Sequence, residues 1–259
     1  MKGPVFAIAI ALSVAGCGVG GESPLTSASG GNSGLPAGES STVNPCGGVR
    51  DCIEIVKVDV DGDGSADRVG MTVTRNPSPA GADDEASVAV RIASAGQVKA
   101  IEARVLASLL PDSPFVGAFR ISRERGADLV LHTRRGSGNA EQFVVIGWQN
   151  DSPAFVVRPP ELNANYGNQS IWYMSSSHGV REWVTCADGA FVTINKLSAP
   201  EAEGVPLPGG GLREEDHFAF DGSEWKPAGS SIEPDNDFDY KFDPHTQTFL
   251  CQDQAASTR

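Results

Sequence analysis

Beyond its first twenty residues the chain has no apolar run near the roughly 18 residues that a membrane-spanning helix requires. Nor does it cluster its lysines and arginines, and the net charge is −13. Nucleic acid and anionic lipid headgroups are held by clustered cations, so neither is an expected partner. The histidines are scattered and no C-x-x-C spacing occurs, which leaves no pattern for a zinc site. G-x-S-x-G and H-E-x-x-H are both missing, and with them two common signatures of hydrolases. Helical periodicity is scarce as well. Only "KAIEARVLASLL", Lys99 to Leu110, has apolar spacing that suits a helix, with Pro111 to stop it.

What is present starts with "MKGPVFAIAIALSVAGC". Lys2 is followed by an apolar run from Val5 to Ala15, broken only by Ser13, which fits a signal-peptide core and is too short to span a bilayer. The run ends in Val14-Ala15-Gly16-Cys17, which resembles the bacterial lipobox. That resemblance implies a signal peptide over 1–16, diacylation of Cys17, and a protein anchored by lipid on the extracytoplasmic face of the cell membrane. Acyl chains contribute about 0.8 kcal/mol per buried CH₂, so two chains hold where one would not.

Residues 17–45 then fall to Gly, Ser, Ala, Thr and Pro, a composition that cannot offset its ordering entropy and acts as a tether. At roughly 5–6 Å × √n it holds the rest on the order of 30 Å from the lipid. The expected folded domain is 46–253, followed by a flexible tail over 254–259. Besides Cys17 the cysteines are Cys46, Cys52, Cys186 and Cys251, an even number that suits an oxidising compartment. Of the possible pairings we favour Cys46–Cys52, closing "CGGVRDC", and Cys186–Cys251, tying the last strand to the body.

Acidic charge is uneven: near balance up to Pro160, strong excess from Pro200 to Asp253. This permits a cation or a basic ligand, but a solvated acidic surface that aids solubility is the favoured account. Short alternating or β-branched runs recur with turn residues between them. They are Ile53–Val60, Arg68–Thr74, Ser87–Ala93, Val98–Ala103, Phe115–Ile121, Asp128–Thr133, Gln142–Trp148, Ala154–Val157, Ser170–Met174, Glu182–Cys186, Ala190–Leu197, His217–Phe220, Phe238–Phe242 and Thr248–Cys251. The expected class is therefore all-β. An internal repeat with a period of 61 residues sets the stretch Val56–Arg75 against the stretch Val116–Arg135, so that Ser65-Ala66-Asp67 falls on Gly126-Ala127-Asp128 and Asp59, Asp61 and Asp63 on Arg120, Ser122 and Glu124. The second copy keeps the last Asp and loses most of the other acidic side chains.

The first copy carries "DVDGDGSADRV". Counting from Asp59, oxygen donors stand at positions 1, 3 and 5 (Asp59, Asp61, Asp63), Gly64 at 6, Ser65 at 7 and Asp67 at 9. Several hard oxygens around a sharp bend suit Ca²⁺, whereas Mg²⁺ demands a stricter octahedron. Position 12 is Gly70 instead of a bidentate Glu, and strands flank the loop, so it is no EF-hand. D-x-D-x-D-G-x-x-D between strands resembles the calcium loop of FG-GAP/VCBS-type repeats, found in integrin-like β-propellers and bacterial surface proteins. The resemblance implies carboxylate ligands from Asp59, Asp61, Asp63 and Asp67, a backbone ligand from Ser65, and a small propeller-like arrangement of about three to four antiparallel blades. A β-sandwich is the alternative fold.

A second acidic run, Asp235, Asp237, Asp239 and Asp243, has Tyr240 at position 6 and alternates with Phe238 and Phe242, and it reads as a half-buried strand. "SSSHG", with Ser177 and His178, reads as a polar loop; Trp172, Tyr173 and Trp183 read as core, with an aromatic ligand platform as the alternative. The function expected is a non-catalytic, monomeric binding or envelope-associated module with an unidentified protein or glycan ligand. The alternative is a secreted hydrolase, which would gather a histidine and a carboxylate in one pocket, such as His217 with Asp216 or Asp221.

Overall fold

The computed structural model describes residues 42–76, 84–134, 141–160, 162, 168–175, 180–187, 189–198, 201–202, 205–206, 211–235, 248–252 and 254, all within the unit Pro36–Arg259. Cys17, the signal-peptide segment, most of the tether, Ser177, His178, His245, nearly all of the tail and the acidic run after Asp235 lie outside the described residues.

Two-residue alternation builds the first sheet. Its strands are β1 (Ile53–Val58), β2 (Asp67–Asn76), β3 (Glu85–Ser94) and β4 (Gln97–Leu106), joined in order as an antiparallel meander. In β3, Ala86, Val88, Val90 and Ile92 fall on one face and are all buried. Each large side chain removed from water in this way contributes about 1.5–3 kcal/mol. The β3–β4 turn is Ala95-Gly96, and both residues have positive φ (46° and 78°), as a two-residue hairpin turn requires.

The helix that spacing allowed over Lys99–Leu110 does not form. That stretch is β4, followed by one 3₁₀ turn at Ala107–Leu109. Ile101, Ala103 and Val105 fit both periods, and pairing along the whole of β3 decides for the strand.

The second sheet is β5 (Phe115–Phe119), β6 (Asp128–Arg134), β7 (Glu141–Gln149) and β8 (Ser152–Phe155), with β9 (Ile171–Met174) also paired to β7. Its middle strands are buried on both faces: Leu129, Leu131, Val144 and Ile146 pack against the first sheet's core, while Val130, Phe143 and Val145 pack with Trp172, Val184, Val192 and Phe218. Such strands read as unbroken apolar runs because no face meets water.

The third sheet has the order β15-β14-β11-β10-β16, from β10 (Val180–Cys186), β11 (Phe191–Ser198), β14 (Gly211–Phe220), β15 (Trp225–Asp235) and β16 (Phe249–Leu250). A short hairpin, β12 (Glu201–Ala202) with β13 (Val205–Pro206), lies between β11 and β14 in the chain. Pairing is antiparallel throughout except between β16 and β10. The sequence reading missed β15, whose Pro227, Gly229 and Pro234 look like a loop. Among the described residues β15 is an edge, where a missing N–H costs no ladder bond.

The fold is thus all-β, with antiparallel sheets and none closed into a barrel. Disulfides join Cys46 to Cys52 and Cys186 to Cys251, the favoured pairs. The first lies over β2, where a Cβ on Gly70 would come within 2.7 Å of the Cys46 Sγ. Closing 65 residues restrains the unfolded chain more than closing 6. Removing Cys186–Cys251 by double serine substitution is expected to cost about 4 kcal/mol and removing Cys46–Cys52 about 2 kcal/mol. Urea unfolding of each variant checks this, and equal losses would contradict it.

Candidate metal centre

The β1–β2 loop folds around its own carboxylates. Asp67, the first residue of β2, accepts through Oδ2 from the amides of Val60 (2.8 Å) and Asp61 (3.2 Å). Asp59 accepts from Gly62 (2.7 Å) and Gly64 (3.0 Å), Asp61 from Asp63 (2.9 Å), and Asp63 from Ser65 (2.6 Å). Every amide from Val60 to Ser65 therefore points at a carboxylate. Gly62 and Gly64 make this possible with φ of 87° and 90°, which other residues rarely adopt.

One carboxylate oxygen from each of Asp59, Asp61 and Asp67 lies within 4.8 Å of the other two. Asp63 is not in this group; it is exposed, and its side chain closes a local turn onto Ser65. Ser65 lies in the loop through that amide, with its backbone carbonyl still able to accept. Sequence reasoning missed Ser94, at the end of β3, whose Oγ donates to Asp61 Oδ2. Only the β2–β3–β4 meander brings it there, 33 residues away in the chain.

Burial is the first cause that pushes the Asp67 carboxyl up to about 6, and the charge of Asp61 adds to it; the amides of Val60 and Asp61 and the Ser94 hydroxyl oppose. Asp67 is 3% exposed, and among the described residues no lysine or arginine forms an ion pair with Asp59, Asp61 or Asp67. Three converging carboxylates without a protein cation form a hard-oxygen donor set of the kind Ca²⁺ takes. Their amide bonds leave lone pairs free, since a carboxylate offers about four acceptor sites.

The second copy repeats this geometry at the same offset. Val56 pairs with Val69 and Val58 with Asp67, and Gly117 pairs with Val130 and Phe119 with Asp128. The β-bulge at Glu54/Val56 recurs at Phe115/Gly117. Asp128 Oδ2 accepts from Ile121 (3.1 Å) and Ser122 (2.6 Å), as Asp67 does from Val60 and Asp61. Here, however, the cation is built in. Arg123 donates to Val60 O (2.6 Å) and Ala127 O (3.3 Å), and its guanidinium lies 3.6 Å from Asp128 Oδ1. Burial raises the Asp128 carboxyl as well, opposed by Arg123 and by bonds from Ser122 and Ile121. The two loops also bond directly, Ala127 N to Asp59 O at 2.7 Å.

The other sequence candidates do not converge. His217 Nδ1 meets Thr193 Oγ1 at 2.8 Å and its ring stacks on Phe191, so the structure does not place it with Asp216 or Asp221. Asp221 accepts from the amides of Glu224 and Ser223 and is held down at about 2 by those bonds. Asp235 pairs with Arg213 at 2.6 Å. Trp172, Tyr173 and Trp183 are buried, and the guanidinium groups of Arg181 and Arg213 lie 5.1 and 5.8 Å from the Trp183 ring centre. A histidine does meet a carboxylate at an unforeseen place: His132 Nε2 lies 2.7 Å from Glu141 Oε2, on opposite strands, stacked on Phe143 and buried.

Comparison of the chain with protein-family models, with curated proteins and with solved structures gives no match.

The raised Asp67 carboxyl has a definite sign. Its folded value of about 6 exceeds the ordinary 3.8, so its favourable contribution is complete at pH below 3.8 and is lost as pH rises through 6. Without divalent cation this one group should lower stability by about 3 kcal/mol across that window. Asp67→Asn keeps an acceptor for Val60 and Asp61, and it is expected to flatten that part of the pH dependence. Urea unfolding in chelator at several pH values checks this; identical slopes for wild type and variant would remove Asp67 from the account.

Proposed function

We propose that this protein is an extracytoplasmic lipoprotein, anchored to the cell membrane through acyl chains on Cys17, whose β domain binds Ca²⁺ in the Asp59–Asp67 loop and acts as a non-catalytic binding or envelope-associated module. The observation that carries the calcium reading is the contrast between the two equivalent loops. One has Arg123 beside its buried aspartate; the other has three converging carboxylates and, among the described residues, no basic side chain on them. Uncompensated like charges at short range repel one another, and a divalent cation relieves that repulsion. Calcium would then fix a turn and take no part in chemistry.

For the fold we propose a partial propeller-like arrangement. Each of the three large sheets is built on a four-strand meander, and the first turns of these meanders pack in series. Arg123 reaches from the second turn to Val60 of the first, and a Cβ on Gly189 in the third would come within 2.2 Å of the Arg123 carbonyl oxygen. The lipobox at Cys17 and the two disulfides, which persist in oxidising compartments, support export. The burial of His132 and Glu141 between packed strands supports a structural part for that pair, and hence the non-catalytic reading.

Extracellular calcium modules bind with Kd on the order of 10⁻⁴–10⁻³ M, so about 5 mM calcium should stabilise the domain by roughly 1–2 kcal/mol. Thermal unfolding with calcium and with chelator measures this. The shift should vanish in Asp59→Asn and Asp61→Asn and shrink less in Asp63→Ala, whose side chain lies outside the convergent group. A midpoint indifferent to calcium would end the metal assignment. Separately, Cys17→Ser should move the protein from the membrane fraction to the soluble fraction, and retention in the membrane fraction would end the lipid-anchor assignment.

A further inference from the structure

A groove of about 520 Å³ runs between β4, the edge of the first sheet, and the face of the second sheet. It shares no residue with the Asp59–Asp67 loop. Val105, Leu106, Leu109, Val144, Phe155 and Ile171 give it an apolar lining, and the volume lies within the roughly 300–1,000 Å³ of small-molecule sites. Leu106, at the end of β4, is 40% exposed.

The charged groups lining it are Glu85, Glu102, Arg104 and Arg134. Glu102 and Arg104 lie 3.9 Å apart on the solvent side, with side chains 50% and 83% exposed, and largely cancel. Glu85 is exposed, so water screens it. Arg134 differs: it is half-buried, its Nε is buried without an acceptor, and among the described residues no carboxylate pairs with its guanidinium.

A β-bulge explains how Arg134 comes to face the groove. Up to His132 the β6–β7 register is regular, His132 opposite Phe143, and both side chains lie on the face that packs toward the third sheet. Thr133 is the extra residue, and Arg134 pairs with Gln142. Gln142 is two residues from Val144 and shares its face, toward the first sheet. Without the bulge, alternation would drive the guanidinium into the apolar packing beside Phe143. With it, a half-buried guanidinium whose Nε lacks an acceptor comes to face an apolar groove, and bulges commonly re-aim a side chain in this way.

We propose that this groove binds a small amphiphilic anion, with the carboxylate or phosphate head on Arg134 and the apolar body along Leu106, Leu109, Val144 and Ile171. Thr133, Gln142, Asn168 and Ser170 line the same groove and supply neutral hydrogen-bonding groups around the head. The site does not depend on calcium or on the lipid anchor.

The test is calorimetric titration of the full-length chain with octanoate, octyl phosphate, octyltrimethylammonium and inorganic phosphate, in chelator throughout. At least one octyl anion should bind saturably, the cation about tenfold or more weaker, and inorganic phosphate without measurable affinity. The anion that binds better distinguishes a fatty-acid-like from a phosphate-ester-like ligand. Arg134→Gln should weaken the preferred anion about tenfold or more and erase the preference over the cation. Should that variant fail to fold, Leu109→Trp reports independently, filling the apolar part and weakening every octyl compound. No saturable binding to the wild type, equal binding of cation and anion, or unchanged affinity in folded Arg134→Gln or Leu109→Trp would each overturn the proposal. Indifference of thermal stability to calcium would leave it standing.

Discussion

One buried carboxylate holds each loop of the repeat. Asp67 and Asp128 both open the second strand of their hairpins, and both accept the amides of the residues that follow the end of the first strand by two and three positions. A strand leaving a sheet abandons its ladder, and buried amides left without acceptors cost roughly 1–3 kcal/mol each. Supplying the acceptor from the returning strand makes loop closure and strand pairing one event. The register, the bulge and the loop path repeat together in the two copies because this bond sets them.

That solution carries a charge into the interior, and the two copies handle it differently. In the second, Arg123 stands where the first has Gly62, and its guanidinium serves both its own Asp128 and the carbonyl of Val60 in the neighbouring loop. The space it needs is made by glycine: a Cβ on Gly62 would press on Arg125, and one on Gly126 would come within 2.8 Å of Val60 O. The first loop is thus braced by the second's arginine while its own carboxylates lack one. It is electrostatically incomplete where its partner is complete, and the proposal of an external cation rests on this asymmetry more than on acidic composition.

Much of this was legible in the sequence because it is local. Alternation in Ala86–Ile92, the Asp-rich loop with its glycines, the cysteine pairs and the offset that lays Asp67 on Asp128 all depend on spacing along the chain. What was hidden depends on partners brought in from elsewhere. Ser94 reaches Asp61 only through the meander, His132 finds Glu141 only across β6 and β7, and Arg123 looks like any basic residue of a polar loop. Asp63 has the same spacing, but its side chain is exposed and stands outside the Asp59, Asp61 and Asp67 group. The β15 strand was missed because proline and glycine signal a break only where both sides of a strand need bonds.

β6 connects the acidic turn's neighbouring loop to the groove. Its first residue, Asp128, caps the loop that braces the acidic turn, and its last, Arg134, lies on the groove, on the order of 20 Å away at about 3.3 Å per residue. Between them Leu129, Val130 and Leu131 are fully buried on alternating faces, so the strand cannot shift register without exposing one face and crowding the other. The bulge at Thr133 is tolerated because it comes after this apolar stretch, at the strand's end, where changing the alternation turns only one side chain. A rigid, doubly buried strand therefore lets the sequence vary its polar chemistry at both ends independently. It follows that a cation at the acidic loop can stabilise the scaffold without reshaping the groove that Arg134 faces.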